Sequence, residues 1–193
     1  MPWEKQFDPD NALRKAMETF WARGYDATSM QDLVEGMGIN RGSLYATFGD
    51  KRSLFLKALK RYDAVHREAW TEALAARTTP RAAILGAFDE AIAAALDEGS
   101  HDGCMVVNTA LELSPHDEEV AAFVAVALAG MEGFFRSMIE AGRKAGEIPE
   151  TVEPAATASA LLSLFIGLRV LARSRPEPPL LRAIADQAAA MLK

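Results

Sequence analysis

The sequence predicts an all-α protein of about nine helices, with a small N-terminal unit joined by a long helix to a larger antiparallel helical domain. Apolar residues recur at three- and four-residue spacing in almost every segment. No stretch alternates Val, Ile, Thr and Tyr as a β-strand does. Gly, Pro, Asp, Asn and Ser separate the periodic segments by short breaks, which favours compact helices joined by short loops.

The first two predicted helices cover residues 10–23 and 29–36. Gly24 can end the first helix in a left-handed C-cap, and Thr28 or Ser29 can cap the second. The apolar face of the first helix consists of Ala12, Leu13, Ala16, Met17, Phe20 and Trp21. This face must pack against the helices that follow.

The third predicted helix covers residues 41–47 and begins at Asn40, a favourable N-cap. Leu44 and Phe48 are expected to face inward. The residues left facing outward are Arg41, Ser43, Tyr45 and Ala46. Asp50 then caps a long fourth helix, whose apolar pattern continues to Trp70 and links the two parts of the chain.

Beyond residue 80 the pattern changes to long, alanine-rich amphipathic helices. Their predicted ranges are 81–98, 103–113, 117–145, 154–174 and 179–192. No internal repeat is visible, and the two parts share no motif. We therefore expect an N-terminal domain over residues 1–61 and a second domain over residues 62–193.

Charge is divided unevenly along the chain, whose formal net charge is -6. Residues 1–61 carry ten Lys and Arg against eight acidic residues, and residues 62–193 carry eleven against nineteen. A basic head on an acidic body is typical of a phosphate-facing unit, although an ordinary solvated basic face gives the same counts. The asymmetry therefore favours a nucleic-acid partner only modestly.

Other bulk features exclude several classes of protein. No apolar run reaches the ~18–20 residues of a membrane span, and the N-terminal MPWEKQFDPD carries charges where a secretory signal is apolar. We therefore expect a soluble, cytoplasmic protein with no membrane partner. The single cysteine, Cys104, excludes an intrachain disulfide and a multi-thiolate metal site.

Residues 29–48 have the pattern of a helix-turn-helix, in which a short glycine-containing turn separates two short helices. Gly36 and Gly38 allow the chain to reverse, and Ile39 is expected to fill the space between the helices. The N-terminus of the second helix then points away from the core, where its backbone N–H groups favour phosphate and its first side chains can reach base edges. Such corners also occur in ordinary helical bundles, so the bare pattern is moderately specific.

The residues in and around this stretch match more than the bare pattern. They are Gly24-Tyr25, Thr28-Ser29-Met30, Gly38-Ile39, Arg41-Gly42-Ser43-Leu44-Tyr45, Phe48, Asp50-Lys51 and Leu54-Phe55. Together they closely resemble the DNA-binding signature of the TetR family of transcription repressors. The resemblance implies a homodimeric repressor of double-stranded operator DNA, without a cofactor, whose all-helical C-terminal part binds a small-molecule effector and thereby releases the DNA.

Carried over position by position, the resemblance implies contacts with DNA at eight residues. They are Thr28, Ser29, Asn40, Arg41, Gly42, Ser43, Tyr45 and Lys51. Arg41 can donate to guanine or phosphate, and Tyr45 and Lys51 match phosphate contacts. Alternatively, Tyr45 covers the core and Lys51 is a solvated charge. Ala46-Thr47 depart from the aromatic residue and histidine of many members, which implies weaker or altered base reading there.

Large or polar side chains on otherwise apolar helical faces are candidates for the implied effector pocket. They are Trp70, Phe88, Cys104, Met105, Asn108, Phe134, Phe135, Arg136, Met138 and Phe165. Pockets and cores are lined by the same residue types, so we expect most of these side chains to be core.

Residues 102–113 resemble the Gly-Cys segment of a subgroup of TetR-type repressors, some of which sense electrophiles or oxidants through the cysteine. A thiolate near a helix start is stabilised by the helix dipole, although Asp102 opposes this for Cys104. The alternative is a buried Cys104 that packs as a small hydrophobe. A metal site is less favoured, because His101 and Cys104 could recruit Met105, His116 or His66 but lack a third ligand at helical spacing.

The sequence shows no nucleophile elbow, phosphate-binding glycine loop or His-Glu-x-x-His run, so nothing favours an enzyme. The alternative class is a helical ligand-binding or interaction protein that does not bind DNA, and a helical enzyme comes after it. Tight binding of duplex DNA without turnover would exclude both.

A single helix-turn-helix reads too few base pairs for genomic specificity, which predicts a twofold dimer. Small residues on the last two helices favour a close four-helix interface. The expected interface residues are Ala156, Ala160, Leu164, Gly167, Leu168, Leu171, Ile184, Ala188 and Met191.

Overall fold

A computed structural model describes residues 7–77, 79–97 and 102–193, and over these ranges the chain forms nine helices and no strand, which confirms the all-α prediction. The helices are α1 (Pro9–Arg23), α2 (Met30–Met37), α3 (Arg41–Phe48), α4 (Lys51–Asp63 with Ala64–Glu68 and Ala69–Arg77), α5 (Pro80–Leu96), α6 (Met105–Glu112), α7 (Glu118–Lys144), α8 (Pro154–Ser174) and α9 (Pro178–Ala190). Their bounds lie close to the predicted ones. The predicted break at Gly99 and the histidine of the metal alternative, His101, lie outside the described residues.

Local polar residues begin the short helices where the sequence places them. The Asn40 side chain accepts a hydrogen bond from the backbone N–H of Ser43 at 2.8 Å. At the start of α2, Ser29 and Asp32 form a reciprocal capping box. Each such cap satisfies a backbone N–H group that would otherwise lack a partner at the helix start, so residues close in sequence fix where these helices begin.

The long helix α4 differs from the prediction in one respect. Its middle segment, Ala64–Glu68, is π-helical, and the helix continues past Trp70 to Arg77. Beside this segment the Arg67 guanidinium donates to the buried Asp63 carboxylate at 2.6 Å. A Cβ atom on Gly130 of α7 would overlap that guanidinium, so the glycine makes room for Arg67. Segments of π-helix are rare and often lie at functional sites.

The buried apolar residues form two clusters. One lies between α1, α2, α3 and α4, and we call this part of the molecule the head. The cluster continues into α6 and the first half of α7 through Met105 and Val120. The other lies between α5, α7, α8 and α9, which we call the body, around Phe88 and Phe135. The head therefore rests directly on α6 and α7.

Two body helices, α7 and α8, are long and apolar enough by length and composition to cross a membrane. The sequence reading did not predict this, because charged residues such as Arg136 and Arg169 interrupt both segments. Phe135 of α7 and Leu161 of α8 are fully buried in the body cluster. In this fold the two helices pack against each other as the central pair of the body.

Two of the residues expected at a dimer interface are placed elsewhere. Leu168 and Ala188 are fully buried inside the single chain, because they lie on the sides of α8 and α9 that face the body core. The expectation is wrong for these two residues. Gly167 lies on another side of α8, where an added Cβ would meet no atom within 4 Å, and the remaining interface residues stay a prediction.

Candidate functional site

The outer face of α3 is the first candidate site. Leu44 and Phe48 anchor the helix in the head core, while Arg41 and Gly42 are exposed and Ser43 is half-buried. Tyr45 is 45% exposed, so its ring does not cover the core. The first turn of α3 therefore presents side chains and backbone N–H groups to solvent.

The turn before α3 aims this face outward. Gly38 adopts a left-handed conformation with φ 68°, which favours glycine. Ile39 is buried between the two helices, as predicted. At the other end of α3, Lys57 donates to the Phe48 carbonyl at 3.1 Å. Both ends of α3 are therefore held by neighbouring residues of the head.

The helix starts beside α3 hold the other residues expected at DNA. Ser29 is exposed and donates to Asp32 at 2.6 Å. Hydrogen bonds from Ser29 and the nearby Arg23 lower the pKa of Asp32 to about 2. Thr28 is fully buried and donates to the Gly24 carbonyl at 2.6 Å, so the expectation that its side chain faces phosphate is wrong.

The cations Arg41 and Lys51 on this face differ from nearby arginines in their ion pairing. In the described part of the chain, neither Arg41 nor Lys51 forms a salt bridge. Arg23, Arg52 and Arg61 are by contrast paired with Asp32, Asp117 and Asp10, respectively. The Lys51 ammonium lies 4.3 Å from the centre of the Tyr25 ring, which holds it at the start of α4. Two cations without a salt bridge to a described residue thus lie at or next to α3.

A cavity of about 360 Å³ is the second candidate site. It lies between α1, α4, α5, α6, α7 and α8, and its volume is in the range of small-molecule pockets. Trp21, Tyr62 and His66 form one wall, with ring centroids 4.7 to 5.0 Å apart. Trp70 and Phe165 form another wall, with ring centroids 6.1 Å apart. The first wall includes Trp21, a residue of the head.

Cys104 borders the cavity as the N-cap residue of α6, and its side chain is half-buried. The Tyr62 side chain lies beside Cys104 and the backbone of Met105. Burial, followed by the proximity of Cys104, raises the pKa of Tyr62 well above its usual value. Tyr62 therefore stays protonated beside the thiol.

The carbonyl of Gly103, next to Cys104, joins three parts of the molecule. The Trp21 indole N–H donates to it at 3.3 Å from α1, and the Arg169 guanidinium donates to it from α8. Arg173 of α8 also donates to the Ala22 carbonyl at 3.4 Å. A change at Gly103 or Cys104 therefore acts on the head and on α8 together.

Two further contacts fix the head to the body. The Glu112 carboxylate at the end of α6 accepts hydrogen bonds from the backbone N–H groups of Tyr25 and Asp26, at 3.0 and 2.8 Å. Arg52 of α4 pairs with Asp117 at 2.6 Å and with Glu119. Its hydrogen bond lowers the pKa of Asp117 to about 2. The orientation of the head thus depends on the positions of the end of α6 and the start of α7.

The residues expected in the pocket divide into two groups. Trp70, Cys104 and Phe165 line the cavity. The others do not line it. Four of them lie in or against the body core, namely Phe88, Phe134, Phe135 and Met138, and Met105 lies in the head core. The Asn108 amide donates to the Asp102 carbonyl at 3.0 Å, and Arg136 lies on the surface, where it pairs with Glu140 at 3.1 Å. Their helices turn these side chains away from the cavity.

The cavity also has lining residues that the sequence reading missed, chiefly Trp21, Tyr62, His66 and Arg169. Trp21 was placed on the apolar face of the first helix, and nothing in the spacing of such a ring separates a core position from a cavity wall. Burial, followed by the charge of Arg169, lowers the pKa of His66 below its usual value. Among the described residues no group of three His, Cys, Asp or Glu side chains could hold a metal ion.

Sequence comparison relates both parts of the chain to bacterial regulators. The profile described as "Bacterial regulatory proteins, tetR family" matches residues 12–58, and "Tetracyclin repressor-like, C-terminal domain" matches residues 80–187. The transcriptional regulator YezE of Bacillus subtilis is 41% identical over 119 residues, which are 62% of this chain and 61% of YezE. The transcriptional repressor ComR of Escherichia coli is 31% identical over 170 residues, which are 88% of this chain and 81% of ComR.

Solved structures show the same arrangement of helices. A cysteine mutant of the TetR family transcriptional regulator CifR, complexed with 26-bp double-strand operator DNA, superposes with a TM-score of 0.86 at 29% identity. The match covers 98% of each chain. A second CifR cysteine mutant with operator DNA gives a TM-score of 0.85 at 30% identity, over 96% of this chain and 97% of that one.

Proposed function

Since the chain belongs to the TetR family of bacterial regulatory proteins and is a DNA-binding transcriptional regulator, we propose that it acts in the cytoplasm as a repressor whose hold on its operator is released by a small molecule or reactive electrophile. One observation carries the second half of this proposal. The cavity that would receive the signal has Trp21, a residue of the reading head, in its wall. Occupancy of the cavity therefore bears directly on the head.

The reading role belongs, in this proposal, to the face of α3 and its neighbours. Arg41, Gly42 and Ser43 lie where side chains of the first turn can reach base edges or backbone in a major groove. Ser29, Tyr45 and Lys51 lie around them, where phosphates would pass, and Asn40 sets the start of the helix. The exposure of Arg41 and Tyr45 supports this assignment. So does the lack of a salt bridge from Arg41 or Lys51 to any described residue.

We assign residues 1–61 to reading DNA and residues 62–193 to sensing and dimerisation. Two heads related by a twofold axis would read two half-sites about one helical turn apart. The exposed Ala156 and the half-buried Gly167 leave little side-chain bulk on one side of α8, where a second copy could approach closely. A movement that changes the distance between the two heads would remove both from the operator at once.

The proposed signal acts at the junction around Gly103. A soft electrophile, such as an α,β-unsaturated carbonyl compound, would be attacked at its electrophilic carbon by the Cys104 sulfur. One S–C bond forms as the C=C π bond breaks, and the thiol proton ends on the neighbouring carbon of the electrophile. The added group would occupy the cavity beside Tyr62 and displace the Gly103 carbonyl from Trp21. A reversible ligand that fills the same cavity would have the same consequence without a covalent bond.

The reading role is tested by substituting two cations separately. Arg41→Ala should relax the preference at one base pair of each half-site, at a cost of about 1–3 kcal/mol for the preferred base. Lys51→Ala should weaken binding to all sequences alike and reduce the slope of log affinity against log salt by about one. Unchanged operator affinity in both variants would remove the assigned head. Arg14→Ala, on the exposed face of α1, serves as the matched control.

The sensing role is tested with Cys104→Ser. This variant should bind the operator as the unsubstituted protein does but lose release by the alkylating agent. A mass increase of one adduct per chain in the unsubstituted protein locates the reaction, because the chain has one cysteine. If alkylation of Cys104 leaves operator affinity unchanged, the thiol is packing and the signal is a reversible ligand.

A further inference from the structure

The charged side chains around the cavity differ in whether a nearby group neutralises them. Arg67 is neutralised by the buried Asp63 and by Glu68, with which it pairs at 3.1 Å. The Glu90 carboxylate accepts a hydrogen bond from the Trp70 indole N–H at 2.6 Å. Arg169 is different, since within the described ranges no carboxylate pairs with it. The cavity therefore has one cation that lacks a counter-ion in that part of the chain.

The position of Arg169 makes this charge significant. The residue is half-buried on α8, lines the cavity, and donates to a neutral acceptor, the Gly103 carbonyl. A guanidinium has five N–H donors, and a planar carboxylate can accept two of them side by side. Its positive charge also acts on the wall that includes His66, where it contributes to the lowered pKa of that residue. Withdrawing a cation from water without a counter-ion is costly, so an anion at this point would be strongly favoured.

The rest of the lining sets the shape of the complementary molecule. Leu128 and Met131 of α7, Leu162 and Phe165 of α8, and Trp70 of α4 present apolar surface to the cavity. A ligand with one acidic group and an apolar body would match both Arg169, which has no counter-ion among the described residues, and these side chains. A neutral ligand would leave the cation uncompensated, and a cationic ligand would be repelled by it.

We propose that the cavity binds an amphipathic organic acid, whose carboxylate pairs with Arg169 and whose apolar body lies between α4, α7 and α8. This inference rests on the proposed sensory role of the cavity and names the class of its reversible ligand. The carboxylate takes donors of Arg169 that now face the Gly103 carbonyl. Since the same carbonyl holds Trp21, binding of the acid loosens the contact between α8 and the head.

The test compares acids with their primary amides, which have the same shape and no charge. The probes are octanoate, decanoate and 4-phenylbutyrate, each with its amide. Binding is followed by tryptophan fluorescence in a Trp3→Phe background, in which Trp21 and Trp70 of the cavity wall are the remaining tryptophans. We expect at least one acid to bind about tenfold or more tightly than its amide, as a charge-assisted contact in a partly buried site allows.

Three variants assign the preference to Arg169. Arg169→Met keeps an apolar stem and should abolish the preference for acids. Arg169→Lys keeps the charge and should retain part of it, which keeps the test valid should the methionine variant fold poorly. Arg136→Met, a matched change at an exposed arginine of α7 outside the cavity, should leave the preference intact. Circular dichroism checks that each variant is folded.

The outcomes separate this inference from the proposed function. Equal affinity for acids and amides, no binding of any acid at millimolar concentration, or an unchanged preference in both Arg169 variants would overturn the assignment of the ligand class. Operator binding is measured in the same samples. If acids bind through Arg169 but leave operator affinity unchanged, the ligand class stands and the sensory role fails. If only neutral compounds release the operator, the sensory role stands and the inference fails.

Discussion

The head and the cavity both depend on aromatic residues, but they use them differently. In the head, Phe55 packs edge to face against Phe20 and Tyr25, with ring centroids 5.1 and 5.0 Å apart, and Phe20 and Phe55 are almost fully buried. Around the cavity, rings such as Trp70 and Phe165 surround a volume of about 360 Å³. The first arrangement fills space and the second encloses it.

This difference indicates how the two regions respond to a disturbance. A close-packed core moves as a unit, because few of its side chains can shift alone. Side chains around a cavity have fewer neighbours and can rearrange at lower cost. The head is therefore suited to hold α3 in one geometry, whereas the cavity wall is suited to change shape when a molecule enters. The junction at Gly103 joins the rigid region to the adaptable one.

The largest expected effect contrasts one phenylalanine from each region. Phe55→Ala should lower the free energy of unfolding by about 4 kcal/mol, because it leaves a space in a closed core. Phe165→Ala should cost clearly less, since its ring already borders a cavity and the loss enlarges that cavity. Urea unfolding at one fixed protein concentration measures both. Equal losses would break the proposed distinction.

The next effect concerns the ion pair at the π-helical segment. Arg67→Met should lower the free energy of unfolding by about 3 kcal/mol, because it leaves the buried Asp63 carboxylate without a partner. The double substitution Asp63→Asn with Arg67→Met should recover part of this loss. Arg14→Met breaks an exposed pair with Glu18 and should cost under about 0.5 kcal/mol. If Arg67→Met lowers the free energy of unfolding no more than Arg14→Met does, this ion pair does not stabilise the π-helical segment.

A smaller effect tests whether local caps fix the reading helix. Asn40→Ala removes the hydrogen bond to the Ser43 backbone and should cost about 1 kcal/mol in thermal or urea unfolding. Thr79 occupies the equivalent position of α5 but makes no side-chain cap, so Thr79→Ala should change little. A similar cost at both positions would show that packing, and not the cap, sets the start of α3.

The smallest effect is a pH dependence confined to the cavity wall. Because burial and Arg169 lower the pKa of His66 in the folded state, stability from this residue is fully present above its usual value of 6.5 and is lost as the pH falls toward the lower value. The unfolding midpoint should therefore fall on acidification from pH 7.5 to 5.5. His66→Gln should show a smaller fall, whereas His116→Gln, at the surface, should not differ from the unsubstituted protein. The same fall in all three proteins would remove His66 as its source.

The head could be predicted from the sequence because its determinants are local. Ser29 and Asp32 lie three residues apart, as do Asn40 and Ser43, so their pairing is visible in the chain. The inward positions Leu44 and Phe48 follow from helical spacing alone. The error at Thr28 has the same origin, since a buried hydroxyl that bonds to the previous turn has the same sequence signature as an exposed one.

The cavity could be predicted only in part because its determinants are distant in the chain. Trp21 and Gly103 are 82 residues apart, and no periodicity indicates that they meet. Trp70, Cys104 and Phe165 were found because large or reactive side chains are useful candidates in general. Arg169 was missed because an arginine in an apolar helix has no pattern of its own. Its significance depends on whether a carboxylate lies close enough to pair with it, which the sequence does not show.

The shared carbonyl of Gly103 has a consequence for the order in which the protein is made. Synthesis proceeds from the N-terminus, and α1 to α4 bury much of their apolar surface against one another, so we expect the head to take shape early. Trp21 finds its acceptor only once Gly103 has emerged, and Arg169 follows after another 66 residues. For that interval the nascent chain has a formed reader without the contacts that would govern it. Under the proposed function, the response to a signal would therefore be acquired later in synthesis than the DNA-reading face.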